Sequence, residues 1–542
     1  MLFHITITLN QSSRFIFTRS TGTMGQIEPT GRDEPQKGPQ VRHFAVTKIK
    51  HVYQLTILSS LMVLVVYVWL VSCGLWTKWP ATTTYYDQLA TSFSHGTLAL
   101  ETKPNPALLA LPNPYDPSAR TGIQTPTDIS LYNGRFYLYF GPFPALLLMI
   151  ARILPLGEIG DQYLVFIFVS GLLIFLSLLL VRIKERFFSE LSPWLVPAGI
   201  LTAGLICPVG WVLGLPTVYN AAITGGEFFF MAGFYFAFRA MDRPSISNWM
   251  LATAGVFWAA ALGSRITQIL PIGFMTLMVA IWIVGKYRRT GKFSGLIPSL
   301  LSLGLTLGIG LAGLAWYNWA RFGSVFETGI TYQLAGPFLQ KYHQDIFSPV
   351  YIVQNIYNYL LILPKLKGVF PFLIPVYGNI KPILSFLPLP SLYYSQEITG
   401  YIFNAPFILF ALIPTVSLFS TSRRQPKNLP DIGDKSIFNW LVIGLLGSFL
   451  FGFAFFLVFF WVAMRYFTDF IPSLALLSII GFWQVQVYFD RRPVRQFVFI
   501  LIGLGLIAFS IISSNLIALS INSGRFRSFD PILWRQLVNF IR

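Results

Sequence analysis

Residues 141–157, GPFPALLLMIARILPLG, decide the topology of this chain. The stretch is apolar, but it is shorter than the roughly 20 residues with which a helix crosses a membrane. Three prolines and Arg152 also interrupt it, and proline disrupts a helix interior. If these residues crossed the membrane, the basic run at 182–186 would fall outside, and every later basic loop would be inverted with it. The charge of those loops therefore decides between two topologies.

Five basic clusters follow, and all of them lie on one side of the membrane if residues 141–157 stay at the surface. They are Arg182/Lys184/Arg186, Arg239/Arg243, Lys286/Arg288/Arg289/Lys292, Arg423/Arg424/Lys427/Lys435 and Arg491/Arg492/Arg495. The short loops on the opposite side then hold little more than Arg265 and Arg465. Because lysine and arginine accumulate in cytoplasmic loops, this arrangement favours eleven spans, with the N-terminus cytoplasmic and the C-terminus outside.

The composition agrees with a polytopic, all-α membrane protein. Of the 542 residues, 54% are hydrophobic and only 11% are charged, whereas soluble proteins carry about 25% charged residues. A soluble enzyme, a disordered protein and a small secreted scaffold are therefore excluded. The net charge of +18 lies in short runs between apolar spans, so it predicts membrane orientation and a lipid environment rather than a nucleic-acid partner. Two cysteines exclude a disulfide framework.

The apolar runs divide the chain into three regions. Residues 1–50 are polar and predict a disordered cytoplasmic tail, in which Met24 is an alternative start. Residues 51–520 form the transmembrane domain, and residues 521–542 form an outer C-terminal segment. Two long outer loops, 76–161 and 316–400, are predicted to carry surface-lying helices, so a site is expected on that face. The eleven spans lie near 53–75, 163–181, 194–213, 222–240, 249–264, 266–285, 294–315, 401–420, 437–463, 469–488 and 496–519.

The first outer loop begins with a short amphipathic helix. Apolar residues recur every three or four positions from 86 to 93, and Asp87 and His95 lie together on the polar stripe. A carboxylate displayed just above the bilayer can act as a general base, with the imidazole as its helper. Thr84 and Asp87 also fit a capping box, in which Asp87 only satisfies the helix end.

A second carboxylate, Asp128, precedes an aromatic turn. Tyr132-Asn133-Gly134-Arg135 predicts a tight turn between two strand-like pieces. Aromatic rings stack on sugars and arginine binds hydroxyls or phosphate, although interfacial tyrosines also serve as membrane anchors. The candidate sugar- or acceptor-binding residues are Tyr86, His95, Tyr132, Arg135 and Tyr139.

Three arginines, Arg265, Arg321 and Arg465, stand at the outer ends of spans. Their forked donors suit a lipid-linked phosphate, and snorkelling to the interface is the alternative. The acids Glu227 and Asp469 are placed near outer span ends, so the spans are expected to lack the midplane acids of ion-coupled transporters. No metalloprotease, serine hydrolase or P-loop motif is present. No visible motif calls for a divalent metal.

The order of these parts resembles the GT-C class of integral membrane glycosyltransferases, including the protein O-mannosyltransferase and lipid A aminoarabinose transferase relatives. Asp87 follows the first span, and residues 141–146 stand where that class has its Pro-Pro-Leu segment. The usual acidic pair before the first surface helix is replaced by Thr82 and Thr83. The catalytic role would then pass to Asp87 or Asp128, or be lost.

The resemblance implies an enzyme of a bacterial plasma membrane that moves a sugar from a polyprenyl-phosphate donor to a lipid, glycan or protein acceptor. Asp87 or Asp128 would deprotonate the acceptor, and Arg265, Arg321 or Arg465 would hold the donor phosphate. Both acids and at least one arginine are then expected to border one cavity. The alternatives are a carrier or flippase of lipid-linked or hydrophobic solutes, and a non-catalytic assembly protein that retains the fold.

Overall fold

A computed structural model describes residues 39–152, 157–206, 208–291, 293–419 and 432–540. The chain divides into Met1–Lys48 and Ile49–Arg542, and the second unit is described below. The predicted tail lies mostly outside the described residues, and its last part belongs to the first helix. The α-helices are α1 Pro39–Val71, α2 Tyr85–Ser94, α3 Pro106–Leu109, α4 Phe143–Ala151, α5 Asp161–Phe187, α6 Leu195–Leu205, α7 Val209–Gly214, α8 Val218–Met241, α9 Asn248–Ser264, α10 Ile269–Thr290, α11 Leu296–Phe322, α12 Ile352–Ile356, α13 Tyr401–Asn404, α14 Leu412–Phe419, α15 Ile432–Leu457, α16 Ile471–Tyr488, α17 Pro493–Ile521, α18 Ser523–Phe529 and α19 Pro531–Phe540.

The prediction of a polytopic, all-α membrane protein is confirmed. Within the described residues, eight helices are long and apolar enough to cross a membrane: His51–Val71, Asp161–Phe187, Val218–Met241, Ile266–Thr290, Phe293–Phe322, Lys435–Leu457, Ile471–Tyr488 and Pro493–Ile521. The other three predicted spans coincide with shorter helices, Leu195–Leu205, Asn248–Ser264 and Pro406–Phe419. Proline accounts for two of these: Pro208 follows α6, and the last helix begins at Pro406 and contains Pro414.

Residues 153–156 of the decisive stretch lie outside the described residues, and the part before them forms one short helix. Helix α4 has nine residues and is therefore about 14 Å long, less than half of the roughly 30 Å hydrocarbon layer. It packs against α2 and α9. Just before it, Gly141 lies directly on the end of α9, where an added Cβ would come within 2.1 Å of the Gly263 carbonyl oxygen. This close approach holds the first loop beside Arg265.

Short β-structures brace the two loops. Strands β1 Ser130–Tyr132 and β2 Arg135–Tyr137 form the predicted antiparallel hairpin, and Asn133 and Gly134 both have positive φ, +48° and +71°, as a type I′ turn requires. The other strands have two residues each: β3 Lys365–Leu366, β4 Leu373–Ile374, β5 Val376–Tyr377, β6 Tyr394–Ser395, β7 Glu397–Ile398 and β8 Trp461–Val462. β3 pairs with β4 and β5 with β7 in antiparallel fashion, while β6 and β8 are parallel.

Helix α8 lies at the centre of the bundle. It packs against both α5 and α9, and 83% of its apolar window is buried inside the protein, against 17% for Phe293–Phe322. The helix Phe293–Phe322 therefore presents most of its surface to lipid. Because α8 is largely buried, a polar side chain on it must find its partners within the protein.

Candidate functional site

A cavity of about 510 Å³ lies where the two long loops meet the helix ends. Its walls come from residues 127–141, 262–267, 314–321, 328–347 and 455–466. Each of these segments lies in, or next to, a connection that the charge pattern places outside. Five sequence-predicted site residues line this cavity: Asp128, Tyr139, Arg265, Arg321 and Arg465.

Asp128 offers the cavity an unpaired carboxylate. Within the described residues its side chain makes no hydrogen bond or ion pair. Its backbone has a φ of +61°, a left-handed conformation that aspartate tolerates better than most residues. Burial raises the pKa of Asp128, and the nearby charge of Arg465 opposes that shift. A carboxylate with a raised pKa that faces a cavity is suited to accept a proton.

Arg465 is the cation of the cavity that is best placed to bind an anion. Its guanidinium lies between two tyrosine rings, 4.6 Å from the centroid of Tyr219 and 4.9 Å from that of Tyr466. It donates a hydrogen bond to Gln396. Within the described part of the chain it forms no salt bridge with a carboxylate, so its charge is not neutralised by direct contact.

Arg321 is instead committed to holding the wall together. It donates to the carbonyl of Leu138 at 2.6 Å, to Asn318 Oδ1 at 2.9 Å and to the Tyr317 carbonyl at 3.3 Å. Its guanidinium also lies 3.8 Å from the centroid of the Tyr317 ring. Arg321 therefore fixes the chain after the β1–β2 hairpin to α11, and it adds positive charge to the wall.

Arg265 is held by a carboxylate that the sequence analysis did not include in the site. Its Nη2 lies 3.2 Å from Oδ2 of Asp469, and its guanidinium lies 5.4 Å from the Tyr466 ring centroid. The charged lining side chains are thus three arginines and Asp128, a net charge of 3 − 1 = +2, which Asp469 reduces to +1. The cavity favours an anion.

Asp87 does not belong to this cavity, so the expectation that both acids border it is wrong. Its Oδ1 forms an ion pair of 2.8 Å with Nη2 of Arg152, and the Asp87 side chain is only 7% exposed. The cause is the packing of α2 on α4, which brings Asp87 against the end of α4. Thr84, the N-cap residue of α2, makes no side-chain capping hydrogen bond, so the capping-box alternative is not observed either.

Four proposed sugar-binding residues also lie away from the cavity lining. His95 is exposed and pairs with Glu101 at 2.8 Å. Tyr86 is fully buried, and Tyr132 packs against Tyr332 with ring centroids 4.5 Å apart. Arg135 is exposed at the hairpin turn. A turn or helix pattern in the sequence predicts that such residues lie on the surface of their own element. It does not predict which other part of the chain packs over them.

A buried polar cluster behind Arg265 escaped the sequence analysis. Gln268 Nε2 donates to Glu227 Oε2 at 3.1 Å and lies 3.4 Å from Asp469 Oδ1. Glu227 is the tenth residue of the 24-residue helix α8, about 14 Å from its start, so its placement near an outer span end is wrong. A glutamate within an apolar span is itself a functional signal, and that signal could have identified the cluster.

Much of the cavity lining is apolar. Five of its aromatic side chains come from one segment, the 455–461 aromatic wall: Phe455, Phe456, Phe459, Phe460 and Trp461. Arginine and aromatic side chains on the same lining match a ligand with an anionic head and a hydrocarbon chain. Within the described residues no group of three or more His, Cys, Asp or Glu could hold a metal ion.

Comparison with known proteins gives one weak likeness. No family model and no curated protein sequence matches the chain. Among solved structures, the chain is similar to ArnT from Cupriavidus metallidurans bound to undecaprenyl phosphate, with 12% sequence identity over 87% of this chain and 76% of that chain. The TM-score is 0.36, and a likeness at that level establishes neither a shared fold nor a shared activity.

Proposed function

We propose that this protein is a membrane glycosyltransferase that moves a sugar from a polyprenyl-phosphate-linked donor to an acceptor hydroxyl. One observation carries the proposal. Asp128, Arg465 and an aromatic wall face one cavity of about 510 Å³, and neither Asp128 nor Arg465 has an ion-pair partner in the described part of the chain. A base, an anion site and a surface for a hydrocarbon chain are the three parts that this reaction needs.

Asp128 acts as the base in this proposal. The acceptor hydroxyl attacks the anomeric carbon of the sugar, and its proton passes to the Asp128 carboxylate. The bond between the anomeric carbon and the phosphate oxygen breaks, and the lipid phosphate leaves with that electron pair. Asp128 rather than Asp87 takes this role because Asp87 is already paired with Arg152 away from the cavity.

Arg465 stabilises the leaving phosphate. Negative charge grows on the phosphate as the glycosidic bond breaks, and a preorganised cation at that position lowers the barrier. The two tyrosine rings around Arg465 hold its guanidinium in place. Arg265 offers a second cation on the same lining, while Arg321 keeps the wall in position.

The remaining lining supplies the contacts for sugar and lipid. Tyr139 lies against Phe140 with ring centroids 4.0 Å apart, close to Asp128, and is the aromatic group proposed to contact the sugar. The 455–461 aromatic wall is proposed to contact the first isoprene units of the donor. In this proposal Asp128 contacts the acceptor hydroxyl, Tyr139 the sugar and the aromatic wall the lipid chain.

The proposal is tested by incubating the purified protein with a panel of farnesyl-phosphoryl sugars and a lipid acceptor extract. Mass spectrometry then measures the release of prenyl phosphate. Asp128→Asn keeps the shape and removes the base, so release is expected to fall about 10²-fold or more. Asp116→Asn is the matched control, because Asp116 only accepts hydrogen bonds from its own turn at Ser118. Since no visible motif calls for a divalent metal, EDTA is expected to leave release unchanged.

Two results would contradict the proposal. Full release by Asp128→Asn would remove the assigned base. Binding of the intact donor without any release by the wild-type protein, across the whole panel and acceptor extract, would favour a carrier instead.

A further inference from the structure

Arg265 faces the cavity on one side and a closed set of polar side chains on the other. Asp469, Gln268 and Glu227 are 3%, 1% and 0% exposed. Gln268 lies between the two acids and donates to Glu227, while Asp469 contacts Arg265 at 3.2 Å. The cluster therefore links a cavity-lining cation to two acids that are almost completely buried.

The charges of this cluster do not balance unless one acid holds a proton. One guanidinium faces two carboxyl groups, and Gln268 is neutral. An uncompensated buried charge is strongly unfavourable, and two carboxyl groups that share a site do not both ionise. Glu227 forms no ion pair within the described residues and its Oε1 has no hydrogen-bond partner there, so Glu227 is the protonated acid and Asp469 is the charged partner of Arg265.

We propose that Asp469 is a displaceable counter-ion: it neutralises Arg265 in the empty site, and the donor phosphate replaces it while Asp469 takes up one proton from solvent. The exchange is balanced. The Arg265–Asp469 ion pair breaks, an Arg265–phosphate ion pair forms, and the bound proton cancels the charge left on Asp469. This inference rests on the proposed function, since it concerns the same phosphate site.

The surroundings of Asp469 give the direction of the linkage. The groups that face it are Arg265, Gln268, Thr267 and the carboxyl of Glu227. Burial raises the pKa of Asp469, and Arg265 with the hydrogen bond of Gln268 opposes that rise. When a phosphate binds Arg265, the guanidinium no longer stabilises the charged form of Asp469, so the pKa of Asp469 rises further. Phosphate therefore binds more tightly as the pH falls through the pKa of the bound state, until Asp469 is also protonated in the empty site.

Calorimetric binding of methyl farnesyl phosphate tests the proposal. This diester ionises only once, well below pH 5, so its own charge is constant in the assay. Titrations of the purified protein at pH 7, in two buffers with different heats of ionisation, count the protons taken up. We expect uptake of a large fraction of one proton and an affinity that rises by up to about tenfold per pH unit between pH 8 and 6. A change in tryptophan fluorescence, to which Trp461 in the cavity lining contributes, gives an independent binding signal.

Three variants complete the experiment. Asp469→Asn removes the competing charge, so binding is expected to become tighter and independent of pH. Glu227→Gln replaces an acid that is already neutral, so the proton uptake is expected to remain. Asp116→Asn, in the first loop, is the control for loss of a carboxylate elsewhere.

The outcomes separate this inference from the proposed function. Binding by the wild-type protein without proton uptake overturns the inference alone, as does pH dependence that persists in Asp469→Asn or disappears in Glu227→Gln. If Asp469→Asn does not fold, Asp128→Asn decides, because proton uptake that persists without this other lining carboxyl is assigned to Asp469. Failure of the wild-type protein to bind the diester at any pH overturns the phosphate site, and the proposed function with it.

Discussion

At the scale of single residues, the ion pair of Asp87 and Arg152 has a structural role. The Asp87 side chain is 7% exposed and that of Arg152 is 29% exposed, and Arg152 also donates to the Asp87 backbone carbonyl. Asp87→Asn leaves Arg152 without its charged partner, so the protein is expected to lose about 1–3 kcal/mol of stability. Because Asp87 lies away from the cavity lining, the rate of prenyl phosphate release below the unfolding temperature is expected to stay within about threefold of the wild-type rate. A threefold change corresponds to less than about 1 kcal/mol in activation free energy.

Thermal unfolding in detergent checks this prediction with a double-mutant cycle. Asp87→Asn, Arg152→Gln and the double variant are compared, and the double variant is expected to lose little more stability than either single one. Equal stability of wild type and Asp87→Asn, together with a collapse of release, would restore Asp87 as the catalytic base.

Residue roles could be predicted only where a single residue carries its own signal. The three arginines stand out because charged residues are rare at the outer ends of the spans, and Asp128 stands out because an aromatic turn follows it; all four line the cavity. The stripe of Asp87 and His95 shows that two residues share a helix face, but not what covers that face. Arg321 has the same sequence context as Arg465, and only packing commits its donors to Leu138 and Asn318.

At the scale of elements, the contact of Gly141 with the end of α9 positions the first loop. A Cβ at 141 would lie 2.1 Å from the Gly263 carbonyl oxygen, a backbone atom that cannot rotate away. Gly141→Ala is therefore expected to push the loop from α9, lower stability by about 1–3 kcal/mol and weaken binding of methyl farnesyl phosphate at least tenfold. Tryptophan fluorescence and thermal unfolding measure the two effects.

Gly157→Ala is the matched control for this substitution. Among the described residues, its added Cβ would meet no atom within 4 Å, so both stability and binding are expected to match the wild type. Normal binding by Gly141→Ala would show that the loop does not need this contact.

Helices and strands could be predicted from the sequence only where their hydrophobic or turn pattern extends over enough residues. The long apolar helices and the Asn-Gly turn of the β1–β2 hairpin are evident in the sequence. The two-residue strands are too short to alternate, and β6 pairs with β8 across the separation between Tyr394 and Trp461. Such pairings follow from tertiary packing, so no local pattern predicts them.

At the scale of the whole molecule, the number of crossings sets the side of the C-terminus. Eight crossings put both termini on the same side, whereas eleven put them on opposite sides. The difference lies in the three shorter helices, Leu195–Leu205, Asn248–Ser264 and Pro406–Phe419. If the last of these did not cross, the basic runs 423–435 and 491–495 would both lie on the same side as the loop 316–400, opposite to the three earlier basic clusters, against the positive-inside rule. We therefore expect eleven crossings.

Labelling with a membrane-impermeant maleimide measures this directly, in a background in which Cys73 and Cys207 are replaced by serine. Ser118, Arg289 and Ser528 are exposed and are replaced one at a time by cysteine. Eleven crossings predict labelling of intact cells at positions 118 and 528, and labelling at 289 only after permeabilisation.

Five crossings separate 289 from 528 in this topology, and four separate them if Pro406–Phe419 stays on one side. Protection of 528 together with labelling of 118 would therefore reject eleven crossings, while labelling of 118 and 289 from the same side would show that one of α6 and α9 does not cross.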